Sequence, residues 1–355
     1  MTTDYKNLLE QLLDEVIKQG ASDLHFSEGR HPYIRLNGEL IPMTSHEILD
    51  GVTTRGILNV MISEAFQKEF EAKRELDFSY SFKDANRFRG SAFVQQGHVG
   101  VVLRLIPNVI KTLDQLNLPP ILADFARRKQ GFFLVVGPVG QGKSTTLAAM
   151  VEMINAERAE HIITIENPIE YIYQQKKSII DQREVRLDTA DFETALVGTF
   201  RQDVDVILVG EMRDKGTIAA AVTAAETGHL VFSTLHTNNA SQTIDRIIDS
   251  FPAEQQDQIR VQLASSLIGI FSQRLIPRIS GGMVPAYELL INNNAVANMI
   301  REKRTYEIDT VIETGAESGM IDMNRTLADL VRRGEITPEN AYLHSFRPEG
   351  LERLI

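Results

Sequence analysis

Residues 132–136, Phe-Phe-Leu-Val-Val, run without a polar interruption into Gly137-Pro138-Val139-Gly140-Gln141-Gly142-Lys143-Ser144, and residues 144–155 then read as a helix. The segment fits G-x-x-x-x-G-K-[ST] at every fixed position, and it does so between an apolar strand and a helix, the setting the motif requires. No other feature limits the fold so strongly, because such a loop commits its surroundings to strands feeding helices. Gly137, Gly140 and Gly142 let the backbone wrap an anion without Cβ clashes, while exposed amides and the helix N-terminus bind it. Lys143 is expected to neutralise the charge of a β/γ-phosphate and the Ser144 hydroxyl to ligate Mg²⁺. Gln141 and Thr145 complete the expected binding set for ATP.

Strands and helices alternate beyond the loop. Residues 162–165, 206–209 and 230–234 read as further apolar strands, with a helix over 217–227. That alternation predicts an α/β fold, a mostly parallel sheet covered on both faces. Two of the strands deliver carboxylates, Glu166 and, after Gly210, Glu211. In a parallel sheet the C-terminal strand ends face the ligand crevice, so both should converge on the phosphate loop. One can hold the metal or its water, and the other can orient and deprotonate an attacking water. His229 and His236 bracket the strand over 230–234. They stand too far apart to chelate zinc together, which leaves γ-phosphate sensing or a structural hydrogen bond. From residue 253 onward the chain reads as helical, apart from a strand near 285–291.

The first third has a different texture. Tyr5, Leu8, Leu9, Leu12, Leu13, Val16 and Ile17 mark an amphipathic helix stopped at Gly20. Alternating runs at 23–27, 33–36 and 39–41 follow, the last two joined by an Asn37-Gly38 hairpin turn. A helical stretch over 54–71 precedes strands at 76–82, 87–95 and 100–106. This reads as a small α+β domain over 1–112, ahead of an ATPase domain over 113–355, with Pro107, Pro119 and Pro120 punctuating the junction. Arg87 and Arg89, two apart on one strand, share a face, and Arg104 lies on the next strand. Guanidinium groups gathered in this way suit a nucleotide phosphate, the alternative being ion pairs within the chain.

Composition removes whole classes of function. The chain has 355 residues and no cysteine, so thiolate zinc sites, disulfide scaffolds and cysteine nucleophiles are excluded. A formal net charge of −11 opposes bulk nucleic-acid binding, and no run of 18 apolar residues offers a membrane span. Met1-Thr2-Thr3-Asp4-Tyr5-Lys6 lacks the basic-then-apolar pattern of a signal peptide.

Taken together, GPVGQGKS (137–144), ITIENPIE (163–170), ILVGEMRD (207–214), the segment 228–236 and Ala21-Ser22-Asp23-Leu24-His25 resemble the secretion/type IV pilus ATPase family. They stand in the family's order of Walker A loop, Asp box, Walker B strand and His box. Nearly the whole chain shares the resemblance, and its shortness and lack of cysteine look most like the pilus retraction motors of twitching motility. The longer extension and secretion motors generally carry a tetracysteine zinc element. The resemblance implies a PAS-like N-terminal domain, a RecA-like ATPase domain and a cytoplasmic homohexamer. Its implied partners are an inner-membrane pilus platform protein and a paralogous pilus ATPase, with no nucleic acid and no insertion into the bilayer. It further implies Lys143 and Ser144 on phosphate and Mg²⁺, Glu166 as catalytic glutamate, Glu211 as Walker B carboxylate and metal holder, His229 and His236 as the His-box pair, and Arg87, Arg89 and Arg104 reaching a nucleotide between domains or subunits. Three positions depart from the pattern. Asn167 replaces an Asp, Val204 a Pro, and Ala297 an Arg of the retraction motif, a position expected to lie off the buried stripe of its helix. An assembly or secretion motor of the same fold, a weakly hydrolysing accessory subunit and a DNA translocase are the competing readings.

Overall fold

A computed structural model describes residues 4–36, 38–83, 86–106 and 109–355. Met1 to Thr3, Asn37 of the hairpin turn and Pro107 of the junction lie outside the described residues. The chain divides into two compact units, one over Met1–Val109 with Glu170–Ile172, the other over Ile110–Ile169 with Tyr173–Ile355.

In the first unit the chain runs through α1 (Tyr5–Gln19), β1 (Asp23–Ser27), β2 (Tyr33–Leu36), β3 (Glu39–Pro42), α2 (Gly51–Met61), α3 (Glu64–Lys73), β4 (Glu75–Phe82), β5 (Asn86–Gln95) and β6 (His98–Ile106). Helix α1 begins where the Asp4 carboxylate accepts from the Asn7 amide, and it ends at Gly20, whose φ of 66° is the left-handed conformation a C-terminal cap needs. Its apolar stripe, Leu9, Leu12, Leu13 and Val16, is buried with Leu24, Phe26, Phe88 and Leu103 of the sheet. The expected single helix over 54–71 is two helices. Ile62 is extended and the Ser63 hydroxyl accepts from the Phe66 amide, so a new helix starts where the periodicity alone showed no break. The six-stranded sheet, ordered β3-β2-β1-β6-β5-β4, is antiparallel throughout.

The second unit contains α4 (Leu122–Ala126), β7 (Gly131–Val136), α5 (Lys143–Glu157), β8 (His161–Glu166), β9 (Ile179–Glu184), α6 (Phe192–Thr199), β10 (Val206–Val209), α7 (Lys215–Glu226), β11 (Leu230–Leu235), α8 (Ala240–Asp249), α9 (Ala253–Ser266), β12 (Leu267–Pro277), β13 (Met283–Ile291), α10 (Asn294–Arg301), α11 (Ile308–Thr314), α12 (Met323–Arg332), α13 (Pro338–His344) and α14 (Pro348–Glu352). Its seven-stranded sheet runs β13-β12-β7-β11-β10-β8-β9, parallel except for the β12–β13 pair, as an α/β fold of RecA-like kind requires. Every residue of β7, β10 and β11 is buried, and α5 and α7 pack on β7 and β11. A second cluster, Ile276, Val284 and Ala286 with Met323, Leu327 and Leu351, holds the C-terminal helices to β12 and β13. Among the described residues no helix is long and apolar enough to cross a membrane.

Three expectations about the later chain are corrected. Residues 267–277 form a long strand, not a continuation of α9. Its first seven residues are buried on both faces, so it lacks the alternation that distinguishes a strand from a buried helix. Strand β9, polar and at the sheet edge, was not anticipated either. Ala297 lies on the buried side of α10 with Val296 and Ile300, 7% exposed, beside a cavity of about 540 Å³ that Arg128, Glu226 and Arg301 help to line. A larger side chain there would have to enter the cavity.

Glu288 of β13 is 5% exposed. Its Oε1 accepts from the Ala240 amide at the start of α8 (2.9 Å) and from the Ser272 hydroxyl of β12 (3.2 Å). Burial pushes this carboxyl up to about 7. A folded-state value above the unfolded one means that the native chain binds the proton more tightly, so stability falls as pH rises from the ordinary Glu range through about 7. The change is on the order of 3 kcal/mol. Glu288→Gln keeps an acceptor for both donors and cannot ionise. Its melting temperature should therefore lack the Glu288-linked decline expected of the parent protein between pH 5 and 8, measured by circular dichroism at a series of pH values.

Candidate nucleotide-binding site

The parallel register sets the site. Val136 pairs with Leu235, Val209 with Ser233 and Val209 with Ile165, so Gly137 and His236 leave β7 and β11 at one level, and Gly210 and Glu166 lie together at the same end of the sheet two residues lower, beside Thr234. The loop springs from that edge. Gly137, Gly140 and Gly142 adopt φ of 147°, 78° and 78°, conformations that L side chains rarely reach. Gly142 caps α5, whose fifteen residues aim their N-terminus at the loop, with the Ser144 hydroxyl exposed and Thr145 half-buried in its first turn.

Lys143 is 7% exposed. Its ammonium donates to the carbonyls of Gly137 (2.9 Å) and Pro138 (2.8 Å) and lies 3.3 Å from His236 Nδ1. On the far side of the ring, His236 Nε2 faces Glu211 Oε2 at 3.7 Å, and Arg213 Nε meets that same oxygen at 2.8 Å. Burial first, then the neighbouring lysine, hold the imidazole below its ordinary range, with Glu211 offsetting only part of this. The ring is thus neutral at pH 7. Accepting at Nδ1 and carrying its proton on Nε2 is the tautomer that suits both neighbours.

Glu166, 8% exposed at the end of β8, accepts from the Thr164 hydroxyl at 2.7 Å and from Gln182 Nε2 at 3.4 Å. Gly210 lies beside it, and a Cβ there would stand 3.3 Å from the Ile165 carbonyl and 3.4 Å from Glu166 Cα. The bare backbone at 210 is what lets β10 turn out next to that glutamate. Asn167, the departure from the acidic pattern, is exposed.

Several residues that shape the site carry no motif. Ser233 and Thr234 donate to the carbonyls of Val209 (2.8 Å) and Gly210 (2.7 Å), tying the end of β10 to β11 where the backbone ladder stops. Thr164 and Gln182 orient Glu166. Gln273 of β12, 3% exposed, accepts from the Thr146 hydroxyl and donates to the Gln141 carbonyl. The Gln141 side chain accepts from the Leu275 amide. Hydroxyls and an amide inside otherwise apolar strands, as in Leu230–Leu235, were the available signal.

The other predicted residues lie elsewhere. His229 precedes β11 at the opposite end from the loop, about 20 Å of strand away from His236. Its Nδ1 meets the Ala224 carbonyl at 2.9 Å, and its ring lies 5.9 Å from that of Phe200. In the first unit Arg89 and Arg104 are cross-strand partners, in a row that continues through Asp23 to Arg35. Arg104 Nε pairs with Asp23 Oδ1 at 2.8 Å, Arg87 donates to the Ser79 hydroxyl at 2.9 Å, and Arg89 lies 3.8 Å from Glu170 of the same unit. Burial pushes Asp23 up, but its bonds to Ser22 and Arg104 and the charge of Arg104 outweigh it and leave it below the usual carboxylate range.

Comparison with known proteins extends the pattern to the whole chain. The type IV pilus retractation ATPase PilT of Pseudomonas aeruginosa is 42% identical over 346 residues, 96% of this chain and 99% of that protein. The type IV pilus ATPase PilU of the same species is 41% identical over 347 residues, 98% of this chain and 91% of PilU. A crystal structure of the pilus retraction motor PilT with bound ADP superposes with a TM-score of 0.90 at 44% identity, covering 97% of this chain and 98% of that one. The profile of the family described as Type II/IV secretion system protein matches residues 3–308, and the chain belongs to that family.

Proposed function

We propose that this chain is an ATP-hydrolysing motor that drives type IV pilus retraction, working as a homohexamer in the cytoplasm against a platform protein of the inner membrane. The observation that carries the reading is the convergence of Lys143, His236, Glu211 and Glu166 on one sheet edge beside the loop, in a chain alike over nearly its whole length to a retraction motor crystallised with ADP. Loop amides and Lys143 bind the phosphates. Neutral His236, reaching toward Lys143 on one side and Glu211 on the other, reports the arrival of a γ-phosphate. Glu166, fixed by Thr164 and Gln182, orients the attacking water and takes its proton. Ser144 and Glu211 offer hard oxygen donors suited to Mg²⁺, which supplies charge neutralisation at the phosphates. Among the described residues no group of three or more His, Cys, Asp or Glu is placed to hold a metal, so such a cation depends on phosphate and water oxygens for its remaining ligands.

His229 and the Arg87, Arg89 and Arg104 face complete the site of another subunit in this reading. His229 is at the wrong end of β11 to reach its own loop, and guanidinium groups gathered on one face, with Arg89 and Arg104 exposed and Arg87 half-buried, are the chemistry that stabilises a transferring phosphoryl group. A paralogous pilus ATPase sharing the platform remains within the same proposal.

Deleting the gene and imaging the cells tests the function. Hyperpiliated, non-twitching cells are the expected result. Bald cells would mean an assembly motor, and unchanged pili would overturn both. Glu166→Gln should keep ATP affinity within about threefold and lower turnover by about 10²–10⁴, read by nucleotide titration beside phosphate release. If subunits supply arginines to one another, specific activity should rise steeply with protein concentration, since an arginine finger is worth about 10³–10⁵ in rate. A dilution series over the assembly transition, monitored by light scattering, measures this directly.

A further inference from the structure

We infer that Gln273 is a positioning residue for the phosphate loop, holding it in the shape that receives a nucleotide. The inference rests on the nucleotide-binding reading above.

The loop is fixed at its two shoulders and open between them. At the first shoulder Gly137 lies so close to β12 that a Cβ would stand 2.4 Å from the Gln273 carbonyl oxygen. At the second, Gln273 Nε2 donates to the Gln141 carbonyl (2.8 Å), and the Gln141 side chain returns the contact by accepting from the Leu275 amide (2.7 Å). A Cβ on Gly142 would meet Gln273 Nε2 at 2.9 Å. The other end of the Gln273 amide accepts from the Thr146 hydroxyl at 2.6 Å, in the first turn of α5. Between the shoulders Val139 is 80% exposed and a Cβ on Gly140 would meet nothing within 4 Å. One buried planar amide therefore ties the strand, the loop and the helix whose N-terminus binds the anion.

That linkage defines what its loss does. Loop amides bind the phosphates of substrate, product and transition state alike, so misplacing them removes uniform binding, which raises KM more than it lowers kcat. In Gln273→Met the side chain keeps its length and loses both hydrogen bonds. In Gln273→Glu the acceptor for Thr146 survives, and a carboxylate oxygen confronts the Gln141 carbonyl.

Binding of ADP with Mg²⁺ is measured by calorimetry on the assembled protein, with kcat, KM and melting temperature on the same samples. Affinity for MgADP and KM for MgATP should both weaken at least tenfold in Gln273→Met, with kcat within about threefold. Gln273→Glu should weaken binding as well, and Thr146→Val should add little to Gln273→Met, because both act through one amide. Unchanged affinity in folded variants overturns the inference, as does failure of both Gln273 variants to fold, which would make the amide a fold-holding group. A parent protein that binds no nucleotide would overturn the functional reading and this one with it. A parent that binds while its folded variants bind equally well removes this inference alone.

Discussion

Parallel hydrogen bonding between β7, β11, β10 and β8 brings four chain segments to the same end of the sheet, and the rest of the site is built on that alignment. Lys143 meets His236 because β7 and β11 end together, and Glu211 meets His236 because β10 ends two residues earlier, beside Ser233, and runs on through Gly210. The strands hold this register because each is buried on both faces, so a slip of one residue would disturb the packing on two sides at once. Side-chain bonds then carry the order past the end of the ladder, through Ser233 and Thr234 into the turn at Gly210.

How much of this was legible in the sequence depended on whether a residue's task leaves a pattern. The loop did, because its glycines are demanded by φ values that few other residues reach. Helix α1 did, because one face is buried and the other wet. Strand β12 did not, since its first seven residues are buried on both faces of the sheet and such a run looks the same as a buried helix. With β12 misread, Gln273 could not be placed beside the loop, nor could the turn of the Gln141 side chain toward that strand be foreseen. Ala297 was misjudged for a related reason. In α10 it lies one residue beyond Val296, and both fall on a buried arc wider than spacing alone suggested.

The arginine face obeys different physics. Like charges directly opposite on neighbouring strands repel, yet Arg89 and Arg104 occupy such a pair. Buried Asp23 answers Arg104 from the next strand and Glu170 approaches Arg89, which offsets part of the repulsion and leaves the face net positive. Preorganised cations of this sort need little rearrangement to meet an anion.

Glu288 shows how the formal charge of −11 depends on the folded state. That count treats every carboxylate as ionised, whereas a carboxyl raised to about 7 is roughly half protonated at neutrality, and the same group in the unfolded chain is not. Through Glu288 folding at neutral pH therefore draws a fraction of a proton from the surrounding buffer, while His236, held below its ordinary range, gives up part of one. Heat measured for the unfolding of this chain contains the buffer's own ionisation enthalpy, so calorimetric values taken in phosphate and in an amine buffer belong to different overall reactions.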